Sequence, residues 1–215
     1  MRRSVALSAI LLAVLPTAAL AQQAPADLPP LLDRATEIAL ARSAAPPEVS
    51  DDATVLVLER GGFIVAEPGA SSVTCLVDRS DPRALEPHCY DAEGSGTILK
   101  IRLREAELRE QGRTAGEIES DVSDGIRTGR LRLPSRPAMS YMMSAGQVLY
   151  DGDRRVGAWK PHLMVYVPYL TTADIGLSGE PSTAAATVFD EGTATACIVV
   201  ALETFIEPKG AASAR

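Results

Sequence analysis

Thr54-Val55-Leu56-Val57-Leu58-Glu59, then Arg60-Gly61-Gly62, then Phe63-Ile64-Val65-Ala66 is the stretch that decides the fold class. Two apolar, β-branched runs are joined by paired glycines. Glycine accepts the positive φ that tight hairpins require, so the stretch predicts a β-hairpin. A phosphate cradle at Gly61-Gly62 would need the rest of a P-loop or dinucleotide fingerprint, and the sequence has neither. After a second turn at Glu67-Pro68-Gly69, Val73 to Val77 predicts a third strand and hence a three-stranded meander.

Helices are expected on either side of this block. Leu31, Leu32, Ala35, Ile38 and Ala39 recur at one-face helical spacing, with Asp33, Arg34, Glu37 and Arg42 on the other side. Pro46-Pro47 ends that helix. Thr114-Ala115-Gly116-Glu117 has the spacing of a capping box. Ile118, Val122 and Ile126 follow as a narrow stripe for packing on a sheet. Gly112 separates this helix from a shorter one over 105–111, and Gly129 stops it.

The last third returns to strands. The segment 138–150 is rich in Met, Tyr and Val, Asp151-Gly152-Asp153 marks a turn, and 155–159 is the return. The run 162–167 predicts a strand, 171–175 a helical turn, and 176–192 a long loop. The uniformly apolar run 196–202 predicts a central strand buried on both faces. The expected architecture is therefore a single α+β domain over residues 30–207. It has an antiparallel or mixed sheet with helices packed on one side.

The chain has 215 residues, with 21 Lys+Arg against 28 Asp+Glu. An acidic chain without a basic cluster argues against nucleic acid as a partner. Residues 1–21 read as a signal peptide: Arg2-Arg3, an apolar run from Val5 to Leu15, then Ala19-Leu20-Ala21 before Gln22. That run is too short to span a bilayer, and no Cys follows it for lipid attachment, so neither a membrane span nor a lipid anchor is expected. Residues 22–29 are expected to form a flexible leader and 208–215 a disordered tail. An exported protein, periplasmic or secreted, is the resulting expectation.

Export puts the cysteines in an oxidising compartment, so Cys75 and Cys89 are expected to form a disulfide, while Cys197 sits in an apolar run as a buried thiol. A His88–Cys89 nucleophile pair is disfavoured because neighbours on a strand point to opposite faces. There is no GxSxG, Walker A or CxxC motif, and two histidines cannot build a two-His zinc motif that also needs HExxH spacing. Gly94-Ser95-Gly96 reads as a loop and Asp151-Gly152-Asp153 as a turn lacking the remaining calcium ligands.

The chemistry that remains lies in 139–169. On a strand, His162, Met164 and Tyr166 share one face. If the strand carrying Met142 pairs with it, Met142, His162 and Met164 converge. Thioether and imidazole donors suit Cu(I). Core filling is the expected role of these three side chains, with no cofactor expected and Cu(I) the alternative. Tyr141, Trp159, Tyr166 and Tyr169 are candidate ligand-binding residues, apolar rings with polar tips beside one imidazole. His162 is the candidate general base should the chain be an enzyme, oriented by a carboxylate yet to be identified. The expected function is a non-enzymatic binding or interaction module for a small molecule or protein; the alternatives are a hydrolase-like enzyme using His162 and a Cu(I)-binding protein using Met142, His162 and Met164.

Overall fold

The computed structural model describes residues 31–81, 83–151, 154–157, 159–177 and 186–209. The expected signal peptide, the leader 22–29, the turn residues Gly152-Asp153 and the tail from 210 lie outside these. Helix α1 (Arg34–Arg42) is capped by Asp33, whose carboxylate accepts from the Thr36 amide. A four-residue helix α2 (Pro47–Ser50) follows, then strands β1 (Thr54–Glu59) and β2 (Gly62–Glu67). The hairpin forms as expected: Glu59 faces Gly62 across a two-residue turn, and Gly61 and Gly62 both have positive φ.

The next strand does not complete a meander. Strand β3 (Thr74–Asp78) lies on the other side of β1 and runs parallel to it, Thr54 beside Thr74 and Val55 beside Cys75. The reason is local. Residues 68–73 fold back across the start of β1, where the Gly69 amide donates to Thr54 Oγ1 and the Ser71 amide to the Asp52 carbonyl. A Cβ at position 69 would run into the backbone of Ala53 and Thr54, so only glycine permits this crossing.

Strand β4 (Glu86–Tyr90) pairs antiparallel with β3. Sequence patterning gave no sign of it, and Pro87 argues against a strand interior. It is tolerated because strand β5 (Ala138–Met142) pairs only with Cys89 and Tyr90 of β4 and asks no ladder bond of Pro87. After a hairpin of β6 (Leu149–Asp151) and β7 (Arg154–Gly157), strands β8 (His162–Tyr166), β9 (Ala186–Phe189) and β10 (Cys197–Ala201) complete a mixed eight-stranded sheet. Its order is β2-β1-β3-β4-β5-β8-β10-β9. The fold is α+β, as expected. Part of the expected loop 176–192 is the edge strand β9, and β10 is only half-buried, because α1 covers β1, β3 and β4 but does not reach the β8–β10–β9 end.

Between the strands and along them lie α3 (Ala92–Gly96), α4 (Ile98–Glu110) and α5 (Ala115–Arg127). Gly94-Ser95-Gly96, expected as a loop, is helical because the Asp91 carboxylate accepts from the Gly94 amide and caps it. The capping box of α5 is present in full, Thr114 Oγ1 accepting from the Glu117 amide and Glu117 accepting from the Thr114 amide. Helix α5 packs on α4 rather than on the sheet, held by a two-pronged Arg104–Asp121 contact at 2.8 and 2.9 Å.

The helices cover both faces of the sheet, not one. Strand alternation sends Val55, Cys75, Val77 and Cys89 to one side, against Leu40, Ala41 and Ala44 on and after α1. It sends Leu56, Leu76, Tyr90, Ala138, Met142, Met164, Tyr166 and Cys197 to the other, against Ile98 and Leu99 of α4. Two independent cores result. Glu37, expected on the exposed side of α1, faces inward and forms an ion pair with Arg79 at 3.4 Å, the side chains being 1% and 3% exposed. The Leu58 amide donates to Glu37 Oε1, and Arg79 Nη1 donates to the Val77 carbonyl, which is how this face accommodates two charges.

Candidate functional site

The α4 side of the sheet carries a cavity of about 340 Å³. Its floor is built by register. Met142 on β5 stands directly opposite His162 on β8, Ser140 opposite Met164, and Ala138 opposite Tyr166. Directly opposite residues place their Cβ atoms about 4.5–5.5 Å apart. The β4–β5 register, Cys89 with Tyr141 and Tyr90 with Ser140, brings His88 beside Met142 when extended by one step. The sheet therefore aligns His88, Met142 and His162 in one row, with Met164 a rung away, and all four line the cavity.

Aromatic rings frame this floor. Trp159 lies 5.7 Å from both the His162 ring and the Phe189 ring, the latter edge-on. On the other flank His88 stacks on Tyr90 at 5.4 Å, and Tyr90 on Tyr166 at 6.4 Å. The Tyr166 hydroxyl lies 3.4 Å from Ser140 Oγ and donates to Met164 Sδ at 3.6 Å, which orients the thioether. Tyr150 also lines the cavity, with the Arg83 guanidinium 4.5 Å from its ring centre.

Charged side chains line the same cavity. Asp78, Asp81, Glu86, Glu105 and Asp190 line the cavity against Arg102 and Arg109. Arg102 reaches Glu105 at 3.1 Å and Asp190 at 3.8 Å, and Arg109 lies 3.9 Å from Asp78. Asp78 and Glu86 are paired directly across β3 and β4. Burial first, and then the Asp78 charge, push the Glu86 carboxyl above its ordinary range.

The two imidazoles are 8% and 2% exposed, His88 and His162 respectively. Burial lowers the His88 pKa to about 4, and burial lowers that of His162 as well, so both rings are neutral at pH 7. His162 Nδ1 lies 2.7 Å from the Lys160 carbonyl. A carbonyl only accepts, so Nδ1 carries the proton and Nε2 keeps its lone pair. Among the described residues Nε2 has no hydrogen-bond partner, and neither does His88 Nδ1.

The sequence-derived candidates divide accordingly. Met142, His162, Met164, Trp159 and Tyr166 come together around the cavity. Tyr141 does not: one residue before Met142, it points to the α1 side and packs beside Cys89. Tyr169 is exposed in the turn after β8 with a left-handed backbone, and it does not line the cavity. The group that orients the His162 ring is the Lys160 backbone carbonyl, not a carboxylate. Cys75 and Cys89 form the expected disulfide as cross-strand partners on the α1 side. That places Cys89 on the face opposite His88, so the two do not form a nucleophile pair. Cys197 is buried opposite Tyr166, its thiol pushed up to about 12 by burial.

Sequence reasoning missed His88 and the acidic side chains that line the cavity. His88 had one available signal: a cysteine committed to a disulfide core sends its strand neighbours to the other face. The acidic residues come from β3, β4, α4 and the end of β9, and no local pattern links them. Comparison with protein-family models, curated proteins and solved structures finds no match for this chain. Among the described residues, no helix is long and apolar enough to cross a membrane, and no group of three His, Cys, Asp or Glu side chains is placed to hold a metal ion.

Proposed function

We propose that the protein is an exported, non-enzymatic binding module whose ligand enters the cavity between α4 and the β4–β5–β8 strands. One observation carries this reading. His162 is almost fully buried on the cavity wall, its tautomer is set by Lys160, and its Nε2 lone pair has no partner among the described residues. A buried acceptor left unpaired costs about 1–3 kcal/mol, and a bound ligand that meets it recovers that free energy. Export is supported by the Arg2-Arg3 start, the short apolar run that follows, and the Cys75–Cys89 disulfide.

The lining selects the ligand's chemistry. Trp159, Tyr166 and Phe189 favour an apolar or aromatic body. Asp78, Glu86, Glu105 and Asp190 against Arg102 and Arg109, with Asp81 held by Arg83, favour positive or neutral charge over negative. A backbone carbonyl on His162 Nδ1 fixes the ring but gives an imidazolium no counter-charge, which favours binding over general-base catalysis.

Trp159 is the chain's single tryptophan and is 42% exposed at the cavity, so its fluorescence reports occupancy. Tyramine, an aromatic amine, is expected to change Trp159 emission saturably. The matched acid 4-hydroxyphenylacetate is expected to bind more weakly, and His162→Ala to abolish the tyramine response. No saturable response to either probe, or equal affinity for both, overturns the reading.

A further inference from the structure

Two imidazoles and two thioethers line one cavity floor. We propose that His88, Met142, His162 and Met164 form a binding site for Cu(I), an inference that rests on reading this cavity as the ligand site and names the class of cation it takes. His88 and His162 are each more than nine-tenths buried, and each has a ring nitrogen, Nδ1 and Nε2 respectively, without a hydrogen-bond partner among the described residues. Two unpaired nitrogens on one cavity wall are explained together if a single electrophile meets both.

Register supplies the sulfurs. Met142 stands opposite His162 and, by extension of the β4–β5 register, beside His88. Met164 lies two residues beyond His162 on the same face, its Sδ already oriented by the Tyr166 hydroxyl. Imidazole nitrogen with thioether sulfur is a donor set for Cu(I), whereas calcium and magnesium require oxygen ligands. No described group of three His, Cys, Asp or Glu residues offers a site to a harder or more demanding ion, so the thioethers decide the selectivity. The carboxylates that line the cavity raise the local concentration of cations.

Competing sulfur is accounted for. Cys75 and Cys89 are oxidised and lie on the opposite face of the sheet. The Cys197 thiol is buried opposite Tyr166 and does not line the cavity.

The test is competition of the purified protein with bicinchoninate for Cu(I) under ascorbate. One equivalent should be taken up, and X-ray absorption should show both nitrogen and sulfur neighbours. The double variant Met142→Leu/Met164→Leu keeps the apolar volume, so its urea midpoint should be unchanged, while Cu(I) affinity should fall by about 100-fold. Cys197→Ala should bind as the parent does. Absence of uptake, undiminished affinity in the double variant, or loss of uptake in Cys197→Ala each overturns the proposal. Copper uptake is read independently of Trp159 emission. A protein that binds tyramine but not Cu(I) therefore loses only this inference, and one that binds Cu(I) but not tyramine loses only the preceding one.

Discussion

The two faces of one sheet are built on different plans. The α1 face is closed. Small and β-branched side chains, Ala41, Ala44, Val55 and Val77, pack around the Cys75–Cys89 bridge, and the charges present are paired, Glu37 with Arg79. The α4 face is open. There β4, β5 and β8 supply His88, Tyr90, Ser140, Met142, His162, Met164 and Tyr166, larger side chains with polar tips that leave a cavity. Each plan is displaced from the other by a single residue along the chain: Cys89 is closed face, His88 and Tyr90 open face. The comparison teaches that stability and ligand chemistry are segregated by strand alternation, so substitutions one position apart should affect different properties.

The largest effect should come from the closed face. Glu37→Leu leaves the Arg79 guanidinium buried and unpaired, and should cost about 3–5 kcal/mol in urea unfolding. The double variant Glu37→Leu/Arg79→Met should recover most of that. A single-variant cost near zero would break the contrast, because the closed face would then hold nothing critical. Next, Cys75→Ala/Cys89→Ala opens a bridge spanning 14 residues and should cost about 3 kcal/mol by chain entropy. Its Trp159 response to tyramine at neutral pH should be retained. Loss of binding with the fold intact would show that the two faces are coupled.

The open face should declare itself by pH. The His88 pKa is lowered to about 4 in the folded state from an unfolded value of 6.5. The unfolded chain therefore takes up a proton first, and stability is full above pH 6.5 and is lost as pH falls toward 4. His162, lowered by burial too, acts in the same direction. Between pH 7 and pH 5 the His88 contribution should be about 2 kcal/mol. His88→Gln should flatten that part of the urea-midpoint profile. An unchanged profile would remove His88 from the buried floor. The smallest effect should be Tyr166→Phe, which removes the hydroxyl that contacts Ser140 and Met164 and should cost about 1 kcal/mol. A cost matching that of Glu37→Leu would erase the distinction between the faces.

Parts of both plans were legible in the residues. The β1–β2 hairpin, the capping box at Thr114–Glu117, the strand at His162–Tyr166 and the disulfide rest on interactions within a few residues, or on a redox compartment, and these are written locally. The candidate site was half legible. The shared face of His162, Met164 and Tyr166 follows from period two alone. Their meeting with Met142 required only that neighbouring strands pair. Tyr141 was grouped with them by proximity in sequence, yet a one-residue offset sends it through the sheet.

What lay beyond reach concerns long-range placement. Near-neighbour sterics and hydrogen bonds write the β1–β2 turn, the capping box and the alternation of side chains into the residues themselves. Packing between distant segments sets β3 beside β1 rather than β2, turns Glu37 inward to Arg79, and brings His88 and five carboxylates to the cavity that His162 lines. Those outcomes depend on how distant segments register across a sheet, and a register is chosen by the whole core at once, not by any stretch of chain within it.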